Sequence, residues 1–171
     1  MKKQSTLTLV LFAIYLLLLI WLILLKLQFS IPDIQVERVV NLVPLLGSFG
    51  GSSAILSGEI RANILVFIPL GIYICMLAAK WPLIKKVFAI VALTLAFEIT
   101  QFIFAIGRAD ITDVLSNTLG GIIGIGIYAL LFKVLKGKTN KVINILAMIC
   151  TILVLSLIAL LLINQRWVRI Q

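Results

Sequence analysis

The chain has 171 residues, of which 63% are hydrophobic and 12% are charged, and its mean hydropathy is +1.24. A soluble domain carries about twice that charged fraction, so the composition indicates an integral membrane protein. The formal charge of +9 comes from basic residues in short gaps between apolar runs, where membrane proteins carry topology-setting charge, and this excludes nucleic acid as the expected partner.

Five apolar runs are long enough to cross a bilayer as helices, since about 20 helical residues span the hydrocarbon core. They predict an all-α, polytopic membrane protein in which residues 1–171 form a single transmembrane domain. The predicted spans cover residues 7–29, 62–79, 87–106, 111–135 and 142–163. The only long connection is a predicted outer loop over residues 30–61, which contains Pro32, Pro44 and the flexible sequence GSFGGSS.

The basic residues predict the orientation of the bundle, because cytoplasmic connections are enriched in them. With the N-terminus inside and the C-terminus outside, nine lysines face the cytoplasm: Lys2, Lys3, Lys80, Lys85, Lys86, Lys133, Lys136, Lys138 and Lys141. Every arginine then lies outside. Arginine forms forked hydrogen bonds to carboxylate and phosphate groups, so we expect the outer face to be the functional face.

The residue types limit the chemistry of the chain. It has no histidine, which removes the commonest general base and metal ligand. Cys75 and Cys150 both lie in apolar runs and form no zinc or redox motif. No Gly-rich loop of the nucleotide-binding type occurs. We therefore expect no metal and no cofactor.

The stretch FEITQFIFAIGRADITDVLSNTLGG, residues 97–121, places polar side chains where hydrocarbon would be expected. Glu98 and Gln101 share a face of the predicted third helix. A carboxylate at that depth is costly unless it is protonated, paired or hydrated, so an intramembrane acid is a functional residue by default. The structural alternative is an ion pair with Arg61 or Arg38.

The predicted fourth helix begins with two further acids. Asp110 fits the N-cap position, which makes it a capping residue rather than a catalytic acid. Asp113 lies in the first turn, near the positive end of the helix dipole, and Asn117 follows on the same face. Glu98 and Asp113 are the candidate catalytic pair, because one of two carboxylates that approach each other should hold a proton.

Small residues continue this face into the membrane, at Gly120, Gly121 and Gly124. They predict a close-approach surface and a tight antiparallel hairpin of the third and fourth helices. The candidate ligand-binding residues come from the outward end of this hairpin, the start of the second helix and the long loop. They are Arg38, Asn41, Arg61, Asn63, Glu98, Gln101, Arg108, Asp110, Asp113 and Asn117.

Several motifs follow one another in an order that resembles the VanZ-like family: IWLILLKLQFSI, ERVVNLVPL, NILVFIPLG and FEITQFIFAIGRADITDVLSNTLGGIIG. The resemblance covers most of the chain and is weakest in the fifth helix. It implies a protein of the bacterial cytoplasmic membrane that lowers susceptibility to teicoplanin and related glycopeptides. The polar motif positions of the family fall on Arg38, Asn41, Asn63, Glu98, Gln101, Asp110, Asp113 and Asn117, and Gly107 and Arg108 match its Gly-Arg pair.

Three functions are compatible with these residues. The first is binding of an anionic envelope lipid, a lipid-linked cell-wall precursor or the glycopeptide, which the arginines and amides favour. The second is a membrane enzyme acting on a lipid-linked substrate, which has less support because no nucleophile with an adjacent base is evident. The third is a transporter with Glu98 as proton carrier, which at this size would need a homodimer.

Overall fold

The computed structural model describes residues 2–25, 37–41 and 53–168. Within them the chain forms five long helices, which confirms the predicted all-helical membrane architecture. The helices are α1 (Lys2–Leu25), α2 (Ser53–Leu77), α3 (Leu83–Phe104), α4 (Ile111–Leu135) and α5 (Thr139–Val168). The described residues contain four continuous stretches long and apolar enough to cross a membrane, and the last of these, Ile111–Asn164, includes both α4 and α5.

The helices extend beyond the predicted spans at several ends. Helix α2 begins at Ser53, before the span expected from residue 62, and α5 continues to Val168. Apolar runs mark the part of a helix that fits in lipid, whereas a helix can continue into polar sequence outside it. Of the loop predicted over residues 30–61, residues 37–41 form a strand and residues 53–61 are helical, and the remainder, with Pro32 and Pro44, lies outside the described residues.

Two short strands, β1 (Glu37–Asn41) and β2 (Ile106–Asp110), pair in parallel. The pairing aligns Glu37 with Ile106 and Asn41 with Asp110. Because α2 and α3 lie between the two strands in the chain, this contact joins the segment after α1 to the connection between α3 and α4. The sequence did not predict it, since a run as short as ERVVN has no decisive periodicity.

Successive helices run in opposite directions. Asn117 of α4 donates a hydrogen bond to Thr94 of α3 over 2.8 Å, and the two helices form the predicted antiparallel hairpin. Thr8 near the start of α1 bonds Asn144 near the start of α5, so these two helices are parallel. One end of the bundle therefore holds the strands, and we call it the strand end. The other end holds the α2–α3 and α4–α5 connections, and we call it the lysine end.

The most extensive helix contact joins α2 to α4, which run parallel. A Cβ atom at Gly120 would collide with the backbone of Ile64, and one at Gly124 would collide with the backbone of Ile68. The close-approach face predicted for the hairpin is therefore directed mainly at α2. Small residues let helix backbones approach in lipid, where van der Waals packing drives association.

Helix α3 completes the core against the same glycine face. A Cβ atom at Gly121 would lie 2.7 Å from the Ile90 side chain of α3. Ile90 belongs to a buried cluster with Leu19 of α1 and Phe67 of α2, which extends toward the strand end through Phe97. This packing fixes α2, α3 and α4 relative to one another beneath the polar residues of the strand end.

Candidate functional site

Glu98 and Asp110 tie the end of α3 to the start of α4. Glu98 is 7% exposed, and its Oε2 accepts a hydrogen bond from the Asp110 backbone N–H over 2.9 Å. Asp110 is the N-cap of α4, as predicted, and its Oδ1 accepts from the Thr112 backbone N–H over 2.7 Å. Since Asp110 is also the last residue of β2, these bonds position the strand as well as the helix.

Amide side chains from two distant segments bind the carboxylates at the start of α4. The Asn41 Nδ2 of β1 donates to Asp110 Oδ2 over 3.0 Å. The Asn63 Nδ2 of α2 donates to Asp113 Oδ1 over 2.8 Å. Four segments of the chain, β1, α2, α3 and α4, therefore meet through hydrogen bonds to three carboxylates.

The two candidate catalytic residues thus each accept a hydrogen bond from the protein itself. Glu98 accepts from a backbone N–H, and Asp113 accepts from an asparagine amide. An ionised carboxylate can accept hydrogen bonds from several donors at once. The bonds observed here are those expected of residues that anchor neighbouring segments. The prediction that the pair shares a proton stays a prediction.

Two further hydrogen bonds come from buried amide side chains between the helices. Gln101 Nε2 of α3 donates to the Ile23 carbonyl of α1 over 3.0 Å, and Asn117 Nδ2 of α4 donates to Thr94 Oγ1 over 2.8 Å. Gln101 is 4% exposed and Asn117 is 1% exposed. These bonds connect α3 to α1 and to α4.

Each of these two amides also has a buried oxygen with no partner among the described residues. The oxygens are Gln101 Oε1 and Asn117 Oδ1, and Thr118 Oγ1 is in the same situation. An unsatisfied buried polar atom costs about 1–3 kcal/mol, and native proteins keep few of them without a reason. These oxygens can accept a hydrogen bond from a water molecule or from a hydroxyl, amide or ammonium group of a guest.

The strand pair places two of the predicted arginines at the strand end. In the parallel register Arg38 is aligned with Gly107, and Arg108 is aligned with Val39. The third arginine, Arg61, is an exposed residue of α2, two positions before Asn63. The structure therefore places all ten candidate ligand-binding residues at the strand end.

Sequence analysis missed Thr94, which is fully buried and accepts the Asn117 hydrogen bond. Its place in the polar cluster could have been recognised from the sequence, because Thr94 lies four positions before Glu98 on the same helix face. The Ile23 carbonyl that accepts from Gln101 carries no sequence signal. Within the part of the chain that the structure describes, no three cysteine, aspartate or glutamate side chains converge as a metal site.

Two comparisons with known proteins agree with each other. A family model described as VanZ/LLP1 matches residues 12–133, which include all ten candidate residues. The chain is 37% identical to Protein VanZ of Enterococcus faecium over 150 residues, which are 85% of this chain and 88% of that protein. No solved structure matches. The family match ends before α5, so the shared unit is α1 to α4 with the strand end.

Proposed function

This chain belongs to the VanZ/LLP1 family, and we propose that it lowers the susceptibility of a bacterium to teicoplanin-type glycopeptides by binding an anionic group at the strand end. The anion belongs to a cell-envelope lipid, a lipid-linked cell-wall precursor or the drug. The family resemblance supports the biological role, and the distribution of lysines supports an outward-facing strand end.

The observation that carries this proposal is the parallel pairing of β1 with β2. It joins two segments that are far apart in the chain and brings Arg38 and Arg108 to the same end of the bundle. A guanidinium group at this end can hold a phosphate or a carboxylate by forked hydrogen bonds, which a lysine ammonium cannot form.

The carboxylates have a supporting role in this arrangement. The Asp110 carboxylate accepts hydrogen bonds from the Asn41 side chain of β1 and from the Thr112 backbone N–H of α4. The Asp110 backbone N–H in turn donates to the Glu98 carboxylate. These bonds fix the end of both strands against the helices. A binding residue on a fixed segment loses less freedom when a guest binds than one on a mobile loop.

The N-terminus of α2 also favours an anion at this end of the bundle. Helix α2 begins there, and a helix N-terminus carries partial positive charge, whereas the N-terminus of α4 already carries Asp110 and Asp113. Helix α2 has no acid in its first turn, so that charge is not offset locally by the helix itself.

The test is the susceptibility of a glycopeptide-sensitive Gram-positive host to teicoplanin and to vancomycin. The host makes the wild type, the double variant Arg38→Ala/Arg108→Ala or the matched control Lys136→Ala/Lys138→Ala, with membrane levels compared by immunoblot. We expect the wild type and the lysine variant to protect against teicoplanin and the arginine variant not to protect. Full protection by an equally abundant arginine variant would overturn the proposal.

A further inference from the structure

A groove at the lysine end lies outside the site described above. It has a volume of about 560 Å³ and is lined by Trp81, Ile84, Lys85, Phe88, Ala89 and Ala92. All six residues come from the start of α3 and the turn before it, at helical spacing. Three large side chains, Trp81, Ile84 and Phe88, are 48%, 73% and 71% exposed, so the groove opens away from the rest of the bundle.

The groove has the dimensions of an acyl chain in one leaflet. From Ile84 to Ala92 the helix rises about 12 Å, and one leaflet of hydrocarbon is about 15 Å deep, half of the about 30 Å core. The methyl side chains of Ala89 and Ala92 leave room beside and beyond the larger Phe88 on the same helix face. An acyl chain that lies there covers apolar surface that the protein leaves open.

One end of the groove is flanked by basic residues. Lys85 contributes to the apolar lining through its aliphatic stem, and the surrounding sequence AAKWPLIKK, residues 78–86, contains two further lysines and no acid. Trp81 lies at the same end, and tryptophan is typical of the headgroup region of a membrane. Lysine clusters at this depth attract anionic headgroups.

We propose that this groove binds an anionic phospholipid such as phosphatidylglycerol, with its phosphate at Lys85 and an acyl chain over Ala89 and Ala92. A second copy of this chain fits less well. Two copies in one membrane share one orientation, and a two-fold contact through this face would bring the same lysines together. Like charges directly opposed at an interface are repulsive. The inference does not depend on the function proposed for the strand end.

Native mass spectrometry of the purified full chain tests the site, with phosphatidylglycerol or phosphatidylcholine added in detergent. We expect the wild type to retain phosphatidylglycerol preferentially. Lys85→Gln should weaken that binding about fivefold, the factor expected for one lysine near an anionic surface. The control Lys141→Gln, an exposed lysine of α5 at the same end, should bind as the wild type does.

A groove-filling variant, Ala92→Leu, separates the apolar part of the site from its charge. It keeps Lys85, and we expect it to lose the tightly retained lipid while the protein elutes as the wild type does. Equal phosphatidylglycerol binding by the wild type, Lys85→Gln and Ala92→Leu would overturn the proposal. A wild-type dimer that Ala92→Leu converts to a monomer would overturn it too, by showing a protein partner in the groove.

Discussion

The two ends of the bundle use polar residues in opposite ways. At the lysine end the charges are single lysines, most of them exposed. At the strand end Glu98, Gln101 and Asn117 are buried between helices and hydrogen bonded across them. An exposed lysine needs only water around it, whereas a buried carboxylate destabilises the fold unless the fold supplies donors.

This difference favours the strand end as the site of the proposed function. The lysines set the orientation of the protein through their total charge and its position relative to the membrane. Most single lysines can therefore be replaced without effect. Each residue at the strand end acts through its own hydrogen bond, so each substitution there should have a different effect. Substitutions at the two ends of the bundle test this contrast.

The strand end depends on the close contact between α2 and α4, because that contact brings Asn63 to Asp113. Replacing Gly124 by alanine places a methyl group against the backbone of Ile68, which cannot move aside as a side chain can. Overpacking of this kind costs about 1–3 kcal/mol or more. We expect Gly124→Ala to lower the melting temperature of the purified protein and its membrane level.

The matched control for that substitution lies in the same helix. A Cβ atom at Gly126 meets nothing within 4 Å, so Gly126→Ala should leave the melting temperature unchanged or slightly raised. The same melting temperature for the two alanine variants would contradict the close contact of α2 with α4.

Glu98 offers a test of anchoring against proton transport. Glu98→Ala removes the acceptor of the Asp110 N–H, and loss of a hydrogen bond to a charged group costs about 1.5–3 kcal/mol. Glu98→Gln keeps an acceptor oxygen at the same place. We expect the alanine variant to lose teicoplanin protection and the glutamine variant to keep most of it, at membrane levels measured by immunoblot. A glutamine variant that is abundant and inactive would support Glu98 as a proton carrier instead.

The bond between Asn63 and Asp113 should appear as a coupling free energy between α2 and α4. A double-mutant cycle with Asn63→Ala and Asp113→Ala in denaturant unfolding isolates it. We expect a coupling of about 1.5–3 kcal/mol, as for a hydrogen bond to a charged group. Additive effects of the two substitutions would show that the 2.8 Å bond contributes nothing to stability.

The smallest effect is expected at the lysine end. Lys138 is exposed in the turn between α4 and α5, and Lys138→Gln leaves eight of the nine lysines that we assign to the cytoplasmic side. We expect unchanged melting temperature and unchanged teicoplanin protection. A loss of protection without a loss of protein would show that the contrast between the two ends is wrong.

Much of the fold could be predicted from the sequence, because lipid admits few structures. The apolar runs located all five helices, and the predicted limits of α4, residues 111–135, are those observed. The sequence DITD located the N-cap at Asp110, since capping is a local interaction. These features depend on neighbouring residues alone.

The remaining features depend on contacts between distant segments. Gly120 and Gly124 showed that another backbone comes close, but a small-residue pattern does not say which helix supplies it. The pairing of Asn41 with Asp110 depends on the fold of α2 and α3 between them. The amides of Asn41 and Asn63 were recognised as polar residues of one region, and their partners could be assigned only from the structure.

The most direct test of the account is a disulfide across the strand pair in the functioning protein. Val40 and Ala109 are register partners, and paired strands bring Cα atoms within the range that a disulfide bridges. The measurement is teicoplanin protection by Val40→Cys/Ala109→Cys in a chain with Cys75 and Cys150 replaced by serine. We expect the disulfide to form on mild oxidation and protection to be retained. Failure to form it in abundant, protective protein, or loss of protection on forming it, would contradict the claim that the paired strands build the functional site.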